Sequence, residues 1–157
     1  MSPATQIATA NLFSPIKIGN MLLNHRVIMA PLTRLRTTKT SAVLKVVKEY
    51  YSQRASTPGT FLISEGTVIS PRATGFQPCA PGIWSDEQIT AWKEVLDAVH
   101  AKGSYIYLQI AASGRIAQSS VLQSYDPTYD VVSAGDETAL DLEPPPPSNL
   151  PTLLGGS

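Results

Sequence analysis

"SDEQITAWKEVLDAVHAKGSYIYLQI", residues 85–110, decides the fold, because it holds one whole helix and the strand after it. Ser85 and Gln88 have capping-box spacing: the hydroxyl accepts the amide proton three residues on, and the carboxamide reaches back. Asp86 and Glu87 fall in the first turn, where the helix dipole favours anions. Ile89, Trp92, Val95, Leu96 and Val99 recur as one apolar stripe. Lys102 falls in the last turn, and Gly103 suits the C′ position. Residues 104–110, "SYIYLQI", then read as a strand.

The same unit recurs toward the N-terminus. "TFLISEG" (60–66) has the apolar run of a buried strand and ends in a small residue. The spacing of Val43, Leu44, Val47, Tyr50 and Tyr51 predicts a helix over Ser41–Ser56. Val27 to Ala30 read as a further buried strand, stopped by Pro31. Before it, "IKIG", Gly19-Asn20 and Met21 to Leu23 suggest a hairpin. Strand, helix, strand, helix, strand argues an α/β fold: a parallel sheet of about three strands with crossover helices. From Ala111 onward no amphipathic helix stands out. Asp130 to Ser133 is the one plausible short strand there, and "PPPP" at 144–147 favours polyproline II. Three segments are therefore expected: a mobile leader (1–11), an α/β part (12–115) and an irregular Pro-rich tail (116–157).

A chain of 157 residues can bury one sizeable core. Lys and Arg total 12 and Asp and Glu total 12, a balance that leaves no footprint for nucleic acid or an anionic membrane. Cys79 is the single cysteine, so no internal disulfide can form, as in a reducing compartment. No signal peptide is recognisable at the N-terminus. No apolar run approaches the roughly 18 residues of a membrane span. The expected location is cytoplasmic.

Ligands of parallel sheets bind at the carboxyl ends of the strands. Here those ends are "APLTR" (30–34), "SEGT" (64–67) and "LQIAASGR" (108–115). They offer the Thr33 hydroxyl, Gly66 without a side chain, and the Gln109 carboxamide. Hydroxyl and carboxamide each donate and accept hydrogen bonds, and a glycine lets a flat ring approach the backbone. The set suits a planar heterocycle rich in C=O and N–H groups. Carboxylate, His and Cys clusters for a metal are missing from these ends. His25 and His100 stand alone and read as structural. Cys79 has no basic neighbour in sequence to activate it. Arg34 and Arg115 flank the expected site.

Long motifs in order, "LFSPIKIGNMLLNHRVIMAPLTRLR" (12–36), "EYYSQRAS" (49–56), "LISEGT" (62–67) and "APGIWSDEQITAWKEVLDAVHAKGS" (80–104), resemble the Old Yellow Enzyme family of FMN-dependent NAD(P)H oxidoreductases. The resemblance runs from about residue 12 to 115 and weakly to about 147, and leans to fungal members, some of which act in specialised metabolism. It implies the N-terminal part of a (β/α)8 TIM barrel. It implies FMN at the strand ends, with Pro31, Leu32 and Thr33 lining the ring, Thr33 bonding a flavin carbonyl, Gly66 against the pyrimidine edge and Gln109 bonding it. It further implies NADPH as reductant and an enone-type small molecule as substrate. Ala111 stands where the family usually has an aromatic residue, which implies a wider pocket. The family's substrate-anchoring pair, its proton-donating tyrosine and its phosphate-binding loops would follow this portion, so the catalytic residues are not among those read here.

A (β/α)8 barrel typically needs about 250 residues, and three strands cannot close. The expected barrel is incomplete, with edges that self-association or a complementing chain could cover. Weak or no FMN binding by this chain alone is the corollary. Two other functions fit the same residues: a non-redox isomerase or cyclase acting on a pathway intermediate, and a non-catalytic truncated remnant.

Overall fold

The computed structural model describes residues 11–133. The "PPPP" run and residues 1–10 of the leader lie outside the described residues. The chain opens with an antiparallel hairpin of β1 (Ile16–Ile18) and β2 (Met21–Leu23), in which Ile16 faces Leu23. Gly19 turns it with φ +56°, a conformation open to glycine at little cost. Leu23 is fully buried, and the Asn24 side chain donates to the Pro58 carbonyl at 3.0 Å.

Three parallel strands follow: β3 (Ile28–Met29), β4 (Phe61–Ile63) and β6 (Tyr105–Tyr107). Their order is β3-β4-β6, with Ile28 opposite Phe61 and Phe61 opposite Tyr105. The crossovers are α1 (Lys45–Arg54) and α2 (Asp86–His100). The alternation read from the sequence is thus the observed topology. Asn24 meets Pro58 just before β4, and the Leu22 amide meets the Tyr105 hydroxyl at 3.4 Å, so the hairpin sits at the amino ends of the sheet.

Helix α2 carries the expected capping box, with both reciprocal bonds formed. Its buried face is Gln88, Trp92, Val95 and Val99; Ile89, expected on the stripe, is 48% exposed. Gln88 takes its place because its carboxamide bonds the Trp84 and Ser85 amides and the Thr40 carbonyl. Helix α1 starts at Lys45, four residues later than the spacing predicts. Ser41 has φ +61°, and Thr37 pairs with Val43 in an antiparallel bridge, so the segment before Lys45 is a turn. Val43 is buried from that turn, which is why it mimics a helical position. The core joins Val47, Tyr51, Leu62, Trp92, Val95, Val99 and Ile106 between both helices and the sheet. Each such apolar side chain contributes about 1.5–3 kcal/mol on burial.

The two later strands are shorter than expected, because each is interrupted. After β4 the chain resumes as β5 (Thr67–Val68), and after β6 as β7 (Ile110–Ala111), which pair in parallel as a second small sheet. Asp130 to Ser133 form no strand. Within the stretch that looked irregular, α3 (Ser119–Gln123) buries Val121 and Leu122. Its apolar contact is one adjacent pair, too short for a periodic signal. No helix among the described residues is long and apolar enough to cross a membrane.

Candidate active site at the strand tips

The interruption between β4 and β5 is what builds the site. Ile63 ends β4, and Ser64, Glu65 and Gly66 interrupt the strand before Thr67. The Ser64 amide donates to the Tyr107 carbonyl at 2.9 Å, so the ladder to β6 continues one step. The Ser64 hydroxyl then stands in for a carbonyl: it accepts from the Gln109 amide at 3.0 Å and donates to the Glu65 carbonyl at 2.9 Å. The ladder resumes where the Thr67 amide donates to the Gln109 carbonyl at 2.8 Å. Gly66 and Gln109 are therefore locked side by side. A Cβ placed on Gly66 would meet Gln109 Oε1 at 3.6 Å and Ala111 Cβ at 3.8 Å, which is ordinary contact. Gly66 lies outside the positive-φ glycines, so no turn demands a glycine there.

The tip of β3 joins from the other side. Pro31 is half-buried and Leu32 and Thr33 are exposed. The Arg34 amide donates to Glu65 Oε2 at 2.9 Å, and the Leu35 amide to the same oxygen at 3.3 Å. Thr33 is thus one residue from a bonded contact with the tip of β4. Arg34 turns its guanidinium away to α1, where Nε donates to the Tyr50 hydroxyl at 3.0 Å. Arg115 lies exposed in a 3-10 turn, Gly114–Ile116.

Two kinds of polar group meet here. Ser64, Glu65 and Thr67 are buried and bonded within the protein. The Thr33 hydroxyl and the Gln109 carboxamide are exposed, and neither side chain has a hydrogen-bond partner among the described residues. The first set holds the backbone, and the second is available to a ligand. Both groups of the second set can donate and accept hydrogen bonds. The described residues contain no group of three His, Cys, Asp or Glu placed to hold a metal.

The sequence reading passed over Glu65 and took Tyr51 only as a position on a helix face. Tyr51 is fully buried on α1, and its hydroxyl accepts the Glu65 amide at 2.8 Å. Burial pushes the Tyr51 phenol well above its ordinary range, and the nearby Glu65 carboxylate pushes the same way. A signal for Glu65 was present: an acidic residue inside an apolar strand run has to find a partner if it is buried. Of the residues read as structural, His25 Nε2 meets Thr60 Oγ1 at 2.9 Å, and His100 is exposed at the end of α2. Tyr125 bonds Ser41 Oγ at 2.8 Å and packs edge-on against Trp84.

The chain as a whole is similar to known proteins. The sequence profile of the NADH:flavin oxidoreductase / NADH oxidase family matches residues 11–144. Chanoclavine-I aldehyde reductase of Penicillium roqueforti (strain FM164) is 52% identical over 139 residues, which are 88% of this chain and 37% of that protein. A probable inactive reductase of Epichloe festucae var. lolii is 51% identical over 140 residues, 89% of this chain and 36% of that one. Among solved structures, an Old Yellow Enzyme from Pichia sp. AKU4542 superposes with a TM-score of 0.70 at 39% identity, over 73% of this chain and 30% of that one. Morphinone reductase in complex with tetrahydroNAD gives 0.65 at 49% identity, over 71% and 30%. The chain spans about a third of the length of these relatives. Its parallel strands and crossover helices form part of a (β/α)8 barrel that does not close among the described residues.

Proposed function

This chain belongs to the NADH:flavin oxidoreductase / NADH oxidase family, and on that premise we propose that its strand tips form the ring-holding face of an FMN site in an NADPH-dependent oxidoreductase of fungal specialised metabolism. The substrate class is an α,β-unsaturated carbonyl. When bound and reduced, FMN supplies the hydride for the β-carbon of such a substrate. The residues of this chain orient the ring. Pro31 and Leu32 line it, the Thr33 hydroxyl bonds a ring carbonyl, Gly66 admits the pyrimidine edge, and the Gln109 carboxamide bonds that edge. The observations that carry the reading are a Gly66 whose Cβ position lies 3.6 Å from the Gln109 carboxamide oxygen, and a Gln109 side chain with no partner among the described residues.

These contacts reach the ring and not the phosphate. FMN and lumiflavin, which has no phosphate, should therefore bind the 157-residue chain weakly and with equal affinity. Fluorescence titration measures both, and Gln109→Ala should weaken each about fivefold, the worth of one hydrogen bond. A chain that leaves flavin fluorescence unchanged, or a Gln109→Ala variant that binds as the parent does, sinks the reading. NADPH consumption with a cyclic enone tests the reaction. The Epichloe relative, named inactive at 51% identity, favours a second reading, a non-catalytic chain. Ring binding without NADPH consumption would support it. We also propose that self-association or a complementing chain covers the sheet edges, where Ile28 is 42% and Tyr107 58% exposed. Size exclusion read at flavin wavelengths reports assembly and cofactor together.

A further inference from the structure

Glu65 is 1% exposed, and among the described residues no Lys or Arg forms an ion pair with it. Its carboxylate instead accepts two successive amides, those of Arg34 and Leu35, on the single oxygen Oε2. Successive N–H groups aimed at one anionic oxygen make a nest, an anion-binding arrangement of the backbone. Leu35 has φ +55°, a region that a leucine rarely enters. Such a conformation persists only where the surroundings over-determine it. The amide of this same leucine is the second donor to Glu65. Glu65 is itself fixed, because its amide donates to the Tyr51 hydroxyl on α1 at 2.8 Å. The buried acid and the strained leucine thus meet in one contact.

We propose that Glu65 is a positioning residue: its carboxylate closes the Arg34–Leu35 nest and so sets where Pro31, Leu32 and Thr33 stand over the tip of β4. The inference rests on reading these tips as a flavin-ring site, since Thr33 is the group being placed. Glu65 is buried with its carboxylate taken up by the nest, so it acts on Thr33 through the backbone. A residue that merely stabilised the core would loosen every protected amide together. A positioning residue loosens Arg34 and Leu35 first.

The test is residue-resolved amide exchange on the full chain and on Glu65→Leu and Glu65→Gln. Glu65→Leu should speed exchange at Arg34 and Leu35 about tenfold relative to Ile106, because a charge-assisted acceptor is lost. Glu65→Gln keeps an oxygen in place and should speed it about threefold. If the leucine variant does not fold, the glutamine variant decides alone. Arg34 and Leu35 amides that track Ile106 in the folded variants overturn the proposal. FMN titration of the same proteins separates the two readings. A parent chain that binds no flavin ends the flavin reading, while the exchange pattern still decides for or against Glu65. Where the parent binds, Glu65→Leu should weaken FMN about tenfold and Glu65→Gln should recover part of the loss.

Discussion

Strands β4 and β6 are hydrogen-bonded neighbours of equal length, and they are built in opposite ways. Strand β4 is paired on both sides, its Leu62 is fully buried, and the polar residues just beyond it are buried and bonded. Among the described residues strand β6 is paired on one side; Tyr107 is 58% exposed, and beyond it Gln109 and Ile110 are exposed. Position in the sheet explains the contrast. A central strand has no free side, so polar groups at its tip must find protein partners. Among the described residues β6 is an edge strand, and its tip side chains have no such partners there. The scaffold of the site therefore lies on β4, and its exposed carboxamide on the segment after β6.

The comparison can be broken first at Leu62. Leu62→Ala should cost about 3 kcal/mol, as a fully buried leucine cut to alanine does, measured by urea unfolding. A loss no larger than that of a surface change would mean that β4 is not the scaffold. Tyr51→Phe comes next, at about 2 kcal/mol, because it leaves the buried Glu65 amide without an acceptor. Tyr51 also predicts a pH effect. Its phenol is raised in the folded state, so above the unfolded value of about 10 the unfolded chain releases a proton that the folded chain keeps. The unfolded state then binds fewer protons, and stability falls as pH rises past that point. Tyr51→Phe should flatten this alkaline decline, and a decline of unchanged slope would refute the assignment. Ser64→Ala should cost about 1 kcal/mol by freeing the Gln109 amide, with the Gln109 amide signal moving more than that of Leu62. The smallest effect belongs to the outward tip: Ile110→Ser should change stability by less than about 0.5 kcal/mol. A larger loss there would show that the segment after β6 is packed like β4.

Much of this contrast was legible from residue order, and some was not. The cap at Ser85, the stripe through Trp92, Val95 and Val99, and the alternation of strand and helix all come from local chemistry. Gly66 and Gln109 were placed at strand ends by run length alone, and the structure sets them side by side. What escaped was set by contacts distant in sequence. Val43 looked helical because it is buried, yet its burial comes from the bridge to Thr37. "SEGT" was read for its glycine, and the residue that ties three elements together is the glutamate, whose partners lie 30 and 31 positions away. Ile89 looked like core because its spacing fits, but the carboxamide of Gln88 had three bonds to make on that side.

The sequence by itself determined the element types, their parallel order and the three strand ends where a ligand can meet the sheet. These follow from periodicity, caps and breakers, which act within a few residues. Only the tertiary structure decided which polar groups at those ends are tied down and which stay open. That choice depends on partners brought together across the sheet, Glu65 with the Arg34 and Leu35 amides and Ser64 with the Gln109 amide. No local pattern encodes such a pairing, because the geometry that makes it exists only once β3, β4 and β6 lie in register.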